Sequence, residues 1–367
     1  MKVLLLSAYT AASHQYWIDG LRRHLTSVDW TVLTLPARHF SWRIRGNSLT
    51  WAFEQRKILE QEYDCILATS MVDLAALRGM VPTLTTAKTI VYFHENQFVY
   101  PPSEQQQAQT HAPVEPQLVN LYSALCADKI VFNSDYNRQT FIQGVDTLLR
   151  KLPDAIPSGL IQHLIERALV IPVPLDINLI DRKKTQRRQT FQLVWNHRWE
   201  YDKGPDRLFN CLQQLPTSLP LQVHVIGQQF RQQPKVFADI HDLLLKNNWL
   251  GEWGFVSDRD AYLQLLQEAS GVLSTALHDF QGLSVLEAYT LGCIPIVPKR
   301  LAYPEFIPEP YCYESYLDDV KKEATAAANK IVAMYEQHKN TVSPQPMLQN
   351  LSWDELKRKY LDLFQAG

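Results

Sequence analysis

The chain has 367 residues, long enough for two domains, and its 46% apolar content suits a globular protein with a sizeable core. Its 36 Lys and Arg stand against 38 Asp and Glu, a net charge of −2. That balance excludes a global basic signal for nucleic acid, though a local basic face could still serve an RNA. The five cysteines, Cys65, Cys126, Cys211, Cys293 and Cys312, are odd in number, widely spaced and free of any CxxC or Cys/His pattern. They read as reduced, mostly buried thiols of a cytosolic protein. The apolar run at the N-terminus is too short for a signal peptide and reads as a first strand. No stretch is long and apolar enough to span a membrane.

Residues 2–8 (KVLLLSA) form a near-continuous apolar run, the pattern of a buried parallel strand. Ser13 and His14 follow at its carboxyl end, and a helix is predicted over 15–25. Ligands of doubly wound sheets bind at that end of the strands, so both residues are candidates to face a cleft. Ser13 can equally cap the helix, and the two roles are compatible. Further strands are predicted over 31–35 and 64–69. Between them lies residues 38–45 (RHFSWRIR), read as a loop. Its interleaved Arg and Trp suit nucleic-acid contact, but a solvated loop pinned by Trp42 explains it as well. A strand over 88–93 delivers His94, Glu95, Asn96 and Gln97 in succession. Four polar side chains at the end of a buried strand are hard to explain as packing. His94 can act as donor, acceptor or general base. Residues 103–116 form a polar loop that could close over an acceptor or be a passive insertion. The strand over 129–133 ends at Asn133, with a helix from Asp135, and a last strand covers 168–171. Residues 181–190 (DRKKTQRRQT) are polar and basic and read as the linker between domains.

A second βα series opens at 191–195. It leads into Arg198 and Lys203, with Pro205 at the first position of a helix. Two cations at a strand end beside a helix N-terminus can hold a diphosphate. A structural salt bridge is the plain alternative for Arg198. A strand over 221–226 ends at Gly227. A helix around 234–246 and a strand over 253–256, carrying Phe255 and Val256, follow. Residues 271–298 then read as strand, loop, helix and strand. The loop runs from His278 to Gly282, the helix starts at Leu283, and Gly292 ends it. Asp279 and Glu287 are separated by seven residues. Gly282 and the amides of Leu283 and Ser284 sit where a helix N-terminus offers free N–H groups to an anion. The segment thus holds a loop carboxylate, a phosphate cradle and a second carboxylate further along the helix. Long helices are predicted over 316–337 and 353–364. The double alternation of strand and helix gives an α/β chain of two Rossmann-like domains facing across a cleft. Neither GxGxxG nor a P-loop is present, which weakens a dehydrogenase or NTPase reading.

The segment around Asp279 and Glu287 resembles the acid-x7-Glu motif of retaining glycosyltransferases with the GT-B fold. Four blocks resemble the tRNA-queuosine α-mannosyltransferase family more narrowly: residues 13–17 (SHQYW), 92–101 (YFHENQFVYP), 195–205 (WNHRWEYDKGP) and 278–298 (HDFQGLSVLEAYTLGCIPIVP). They lie in both halves and in order, so the resemblance covers essentially the whole chain. Two departures are visible. The usual first acid is Glu and here is Asp279, and the Gly-Gly before Ser-His is Ala11-Ala12.

The resemblance implies an acceptor-binding domain over 1–172, a linker over 173–190 and a sugar-nucleotide domain over 191–350. A C-terminal helix over 353–365 would pack back on the first domain. It implies transfer of mannose from GDP-mannose to queuosine in a tRNA anticodon, in the cytoplasm, with no membrane and no metal. The donor set is Arg198, Lys203, Gly227, Phe255, Val256, Asp279, Gly282, Leu283, Ser284 and Glu287, with Phe255 and Val256 at the nucleobase. The catalytic set is His94, Asp279, Arg198 and Lys203. The acceptor set is Ser13, His14, Glu95, Asn96, Gln97 and Asn133. Two alternatives stay open: a lipid or oligosaccharide glycosyltransferase using another nucleotide sugar, and a non-catalytic RNA- or sugar-nucleotide-binding protein of the same fold.

Overall fold

A computed structural model describes residues 1–99, 114–151, 157–176, 190–230, 233–340 and 348–365. The chain divides into two units, one formed by Met1–Pro174 with Leu351–Gly367 and the other by Leu175–Asn350.

The first unit is a six-stranded parallel sheet in the order β2-β1-β3-β4-β5-β6. Its strands are β1 (Lys2–Thr10), β2 (Asp29–Pro36), β3 (Cys65–Thr69), β4 (Lys88–Phe93), β5 (Lys129–Phe132) and β6 (Ala168–Val170). The helices are α1 (Ala12–His24), α2 (Phe40–Glu54), α3 (Arg56–Leu59), α4 (Leu74–Met80), α5 (Glu115–Leu125), α6 (Asp135–Leu149) and α7 (Leu160–Arg167). Leu4 and Leu6 of β1, Ile66 of β3 and Phe93 of β4 pack with Trp51 and Phe141 into one core. Strands covered by helices need apolar side chains on both faces, which is why residues 3–6 of β1 and 65–68 of β3 are unbroken apolar runs.

The second unit repeats the plan, with sheet order β12-β11-β10-β7-β8-β9, all parallel. Its strands are β7 (Phe191–Trp195), β8 (Leu221–Ile226), β9 (Leu250–Gly254), β10 (Gly271–Leu273), β11 (Ile294–Pro298) and β12 (Cys312–Tyr313). Its helices are α8 (Pro205–Gln214), α9 (Val236–Lys246), α10 (Arg259–Glu268), α11 (Leu283–Thr290), α12 (Tyr303–Phe306) and α13 (Val320–Asn340).

The last helix, α14 (Trp353–Gln365), belongs to the first unit. Trp353 stacks on His24 of α1, with ring centroids 4.8 Å apart. Gly20 of α1 makes room for it, since a Cβ there would lie 2.1 Å from the Trp353 ring. Tyr360 completes the joint by accepting from Trp17 Nε1 at 3.1 Å.

Two readings of the sequence are corrected. Residues 38–45 are not a loop: α2 starts at Phe40, and Trp42 is exposed rather than a pin. The chain turns at His39, which has φ 55°, and enters the helix without a side-chain cap or an acid in the first turn. Tertiary bonds replace the cap. Asn47 Nδ2 donates to Met71 O at 3.2 Å, Asn47 Oδ1 accepts from Asp73 N at 3.1 Å, and Arg45 pairs with Asp73 at 2.9 Å. Likewise the strand expected over 253–256 ends at Gly254, so Phe255 and Val256 follow it in the connection to α10. The polar loop expected at 103–116 lies outside the described residues up to 113, as does the linker expected at 181–190 up to 189.

All five cysteines are unpaired thiols, four of them buried. Among the described residues no helix is long and apolar enough to cross a membrane.

Candidate active site

In the first unit, the carboxyl edge of the sheet gathers aromatic and imidazole rings. His14, near the start of α1, and His94, just past β4, have ring centroids 4.2 Å apart. Trp17 and Tyr92 lie against His94 at 4.6 and 4.7 Å. Below them the Tyr360 hydroxyl joins Tyr92 Oη at 3.2 Å and Pro172 O at 3.1 Å, so α14 supplies the floor of this cluster. Both imidazoles are buried, and neither His14 nitrogen nor His94 Nε2 has a hydrogen-bond partner among the described residues. Burial lowers the His14 pKa to about 4. Burial, helped by the neighbouring His14, holds His94 well below its ordinary value. The edge therefore presents two neutral imidazoles, each able to donate at one nitrogen and accept at the other.

The other residues expected there have different placements. Asn96 is fully buried, and its amide donates to Asn137 Oδ1 at 2.9 Å and Thr140 Oγ1 at 3.0 Å, while its carbonyl accepts from Phe98 N. That saturates it as a brace of the loop after β4. Asn133 Nδ2 donates to His94 O at 2.9 Å and so fixes the backbone that carries the imidazole. Gln97 and Glu95 are half-buried on the same loop, and Gln97 N donates to Asn120 Oδ1 at 2.9 Å. Ser13 is exposed and does not cap α1, whose N-cap is Ala11 with no side-chain bond.

In the second unit the loop after β7 and the loop after β10 interlock. Lys203 is buried, and its Nζ donates to His278 O at 2.7 Å. It lies 3.3 Å from Asp202 and 3.7 Å from Asp279. Burial opposes its charge, but the two carboxylates outweigh that and raise its pKa. Burial alone would raise the Asp279 pKa, yet Lys203, His197 and the Gly282 amide together lower it. Asp279 Oδ1 accepts from Gly282 N at 2.9 Å, and its Oδ2 accepts from Tyr303 at 3.2 Å. The acid is thus held by its own loop on one side and by α12 on the other. Arg198 is half-exposed and pairs with Glu200 at 2.8 Å and Asp202 at 3.6 Å.

Gly282 is the N-cap of α11, with φ 76°, and a Cβ there would meet the Tyr303 ring at 2.6 Å. Only glycine makes that turn so close to an aromatic wall. The first turn of α11 carries no acid, and its leading amides, Leu283 and Ser284, have no acceptor within the helix. An anion fits there. Gly227 keeps the end of β8 close to the loop after β7: a Cβ would sit 1.8 Å from His197 O. One turn into α11, Glu287 is gripped by both guanidinium nitrogens of Arg259, one of them at 3.2 Å. Tyr262 lies beside this carboxylate, and burial together with the Glu287 charge raises its pKa. Asn196 Nδ2 ties this corner together, donating to Tyr262 Oη at 3.1 Å and Ser284 O at 2.9 Å. Phe255 is exposed in the connection that ends at α10.

Several of these residues were not singled out from the sequence. His197 and His278 are buried, and burial with the adjacent Lys203 lowers both to a pKa of about 4. His197 Nε2 has no partner among the described residues. Asp202, Arg259, Tyr262 and Tyr303 joined the site only through the fold. His197 and Asp202 lie inside the 195–205 block, so proximity to Arg198 and Lys203 was the available signal. Among the described residues no group of three or more His, Cys, Asp or Glu is placed to hold a metal ion.

Two parallel-sheet units, one carrying a buried lysine, a half-exposed arginine, an acid pair and a helix N-terminus at its strand ends, define a glycosyltransferase of the GT-B fold. Solved structures agree on the fold. The Anabaena protein HepE, crystallised with UDP and glucose, is 16% identical with a TM-score of 0.70, and 100% of each chain is covered. Sucrose-phosphate synthase of Thermosynechococcus elongatus is 15% identical with a TM-score of 0.70, again over 100% of each. Sequence similarity narrows the class. Residues 2–175 match the family model described as tRNA-queuosine alpha-mannosyltransferase N-terminal. The Drosophila melanogaster tRNA-queuosine alpha-mannosyltransferase is 30% identical over 372 residues, 99% of this chain and 96% of that protein. The chain belongs to the tRNA-queuosine α-mannosyltransferase family.

Proposed function

We propose that this chain transfers mannose from GDP-mannose to the cyclopentene-diol of queuosine in a tRNA anticodon, in the cytoplasm and with retention of configuration. The observation that carries the reading is the meeting of Lys203, Asp279 and the α11 N-terminus in a chain of this family.

Arg198, Lys203, and the amides of Leu283 and Ser284 bind the diphosphate and stabilise the charge that develops as it departs. Arg198 turns from Glu200 to reach it. Glu287 holds the ribose hydroxyls, in the orientation Arg259 and Tyr262 give it. Phe255 and Val256 contact the nucleobase, and Gly227 keeps that wall close. Asp279 holds Lys203 and meets the sugar hydroxyls, while the neutral His197 offers them a further hydrogen bond. His94 supports the sugar as positive charge develops on it, and Asn133 fixes His94. His14, Ser13, Glu95 and Gln97 serve the acceptor, and Asn96 acts by bracing their loop. The acceptor hydroxyl attacks from the face the phosphate leaves, and a leaving phosphate oxygen takes its proton. No enzyme nucleophile is required.

The test is a panel of GDP-, UDP- and ADP-sugars assayed with queuosine-containing tRNA. Hexose on queuosine from GDP-mannose supports the reading. Binding of another donor with no change to the tRNA would overturn the acceptor and keep the fold.

A further inference from the structure

Helix α2 is apolar on two opposite faces. Ile44, Trp51 and Ala52 enter the core. On the other side Trp42, Leu49 and Phe53 stand 59, 46 and 77% exposed. They recur at the spacing that places them on one helical stripe with Gly46. The stripe is about 16 Å long, at 1.5 Å per residue. Trp42 lies flat along it: a Cβ on Gly46 would come within 2.4 Å of the indole. One face of the ring is seated on the helix backbone, and much of the indole stays open to solvent.

Cations flank the stripe. From Arg38 to Lys57 the sequence holds five Arg or Lys and one acid, Glu54, in a chain whose net charge is −2. Arg43 is buried, and Arg45 and Arg56 pair with Asp73 and Glu60. Arg38 and Lys57 are exposed and have no ion-pair partner among the described residues. The start of α2 follows β2 at the carboxyl edge of the sheet, the same edge that carries His14 and His94.

We propose that this face of α2 docks the RNA: Trp42 and Phe53 stack on bases, and Arg38 and Lys57 hold phosphates. The proposal rests on the reading that the acceptor is a tRNA, and it names a surface outside the residues that handle the sugar. A narrow stripe of separated rings between isolated cations suits stacking on nucleotides. An interfacial membrane helix gathers its apolar residues on one face and presents that whole face to the lipid, whereas α2 divides its apolar residues between the core side and a stripe of three exposed ones.

The experiment measures binding of the full chain to queuosine-containing tRNA over a range of salt. GDP affinity and melting temperature are followed in parallel, with phosphatidylserine vesicles as a second probe. Trp42→Ala is expected to weaken tRNA binding roughly five- to hundredfold, the range for loss of one stacked base. Arg38→Ala with Lys57→Ala lowers the slope of log affinity against log salt by about 2. Gly46→Ala separates recognition from stability. It removes a glycine penalty on the helix of about 1 kcal/mol, roughly fivefold in folding equilibrium, and unseating the Trp42 ring offsets that gain, so melting temperature is held while tRNA binding weakens. Unchanged tRNA binding in Trp42→Ala and Phe53→Ala overturns the proposal. So does loss of vesicle binding with RNA binding intact. A wild-type chain that binds GDP but no tRNA overturns both this surface and the acceptor assignment, leaving the donor site. A chain that binds tRNA through α2 but transfers no mannose supports the surface and sinks the reaction.

Discussion

Lys203→Met removes the ammonium that lies between the buried Asp202 and the partly buried Asp279. In the wild type Nζ stands 3.3 Å from Asp202 and 3.7 Å from Asp279. Methionine keeps the length and removes the charge. Breaking a buried pair costs about 3–5 kcal/mol, because the remaining charge has no compensation. Arg198 still reaches Asp202 at 3.6 Å, so the lower end, about 3 kcal/mol, is expected here. The pH dependence gives a sharper signature. Asp279 has a lowered folded pKa, so its contribution is present above the unfolded value near 4 and is lost only as pH falls through the folded value. Lys203 has a raised pKa, so its contribution holds below roughly 10.4 and is lost as pH rises through the folded value. The pair is therefore intact across the neutral range. In the variant, burial dominates Asp279 and raises its pKa, so the deficit grows from about pH 4 upward. Denaturant midpoints at pH 5 and pH 8 should differ more from the wild type at pH 8. Loss of a charge-assisted bond to the diphosphate, about 1.5–3 kcal/mol, weakens GDP roughly tenfold to a hundredfold. The turnover number falls about a hundred- to a thousandfold. GDP titration and turnover unchanged from wild type would refute the assignment of Lys203.

Glu287→Ala should raise the KM for the donor at least about tenfold, the scale of a lost charged hydrogen bond, with the KM for tRNA unmoved. Arg259→Ala, at a half-exposed pair, should change donor KM by no more than about fivefold, as surface ion pairs contribute ~0–1 kcal/mol. Equal effects of the two would mean that Arg259, not Glu287, binds the nucleotide. Tyr360→Phe strands the buried Trp17 N–H, which donates to it at 3.1 Å, and should cost about 1–3 kcal/mol in a denaturation midpoint. No shift would mean that α14 does not hold the first unit. His14 is kept neutral by burial, with a pKa of about 4, so the unfolded chain takes up a proton below pH 6.5 that the folded chain refuses. The stability it contributes is full above pH 6.5 and is lost as pH falls toward 4, by about 2 kcal/mol at pH 5. His14→Gln should therefore flatten the fall of melting temperature between pH 7 and 5.

The parts of the fold that showed in the sequence are those where local pattern and tertiary role coincide. β1 and β3 are central strands buried on both faces, so residues 3–6 and 65–68 are continuous apolar runs. Gly282 and Gly292 bracket α11 because both need positive φ, 76° and 104°. α2 was not legible for the opposite reason. It has apolar residues on both faces, which erases the helical periodicity, and its start has neither cap nor acid. The same doubled face gives it the exposed stripe. Within the site, Lys203 and Asp279 could be found by motif, but their mutual pairing could not. The roles of Asn96 and Asn133 were legible only as polar residues at strand ends. Whether such a side chain faces outward or braces the loop depends on Asn137 and Thr140, which come from α6. Arg259 and Tyr262 lie on α10 with no motif of their own and meet Glu287 only through the sheet order.

The decisive measurement for mannosyl transfer is mass spectrometry of nucleosides from queuosine-containing tRNA incubated with the chain and GDP-mannose, followed by α-mannosidase digestion. Queuosine is expected to gain one hexose that α-mannosidase removes. Unmodified queuosine beside a chain that binds GDP-mannose would contradict the acceptor, and a hexose resistant to α-mannosidase would contradict retention.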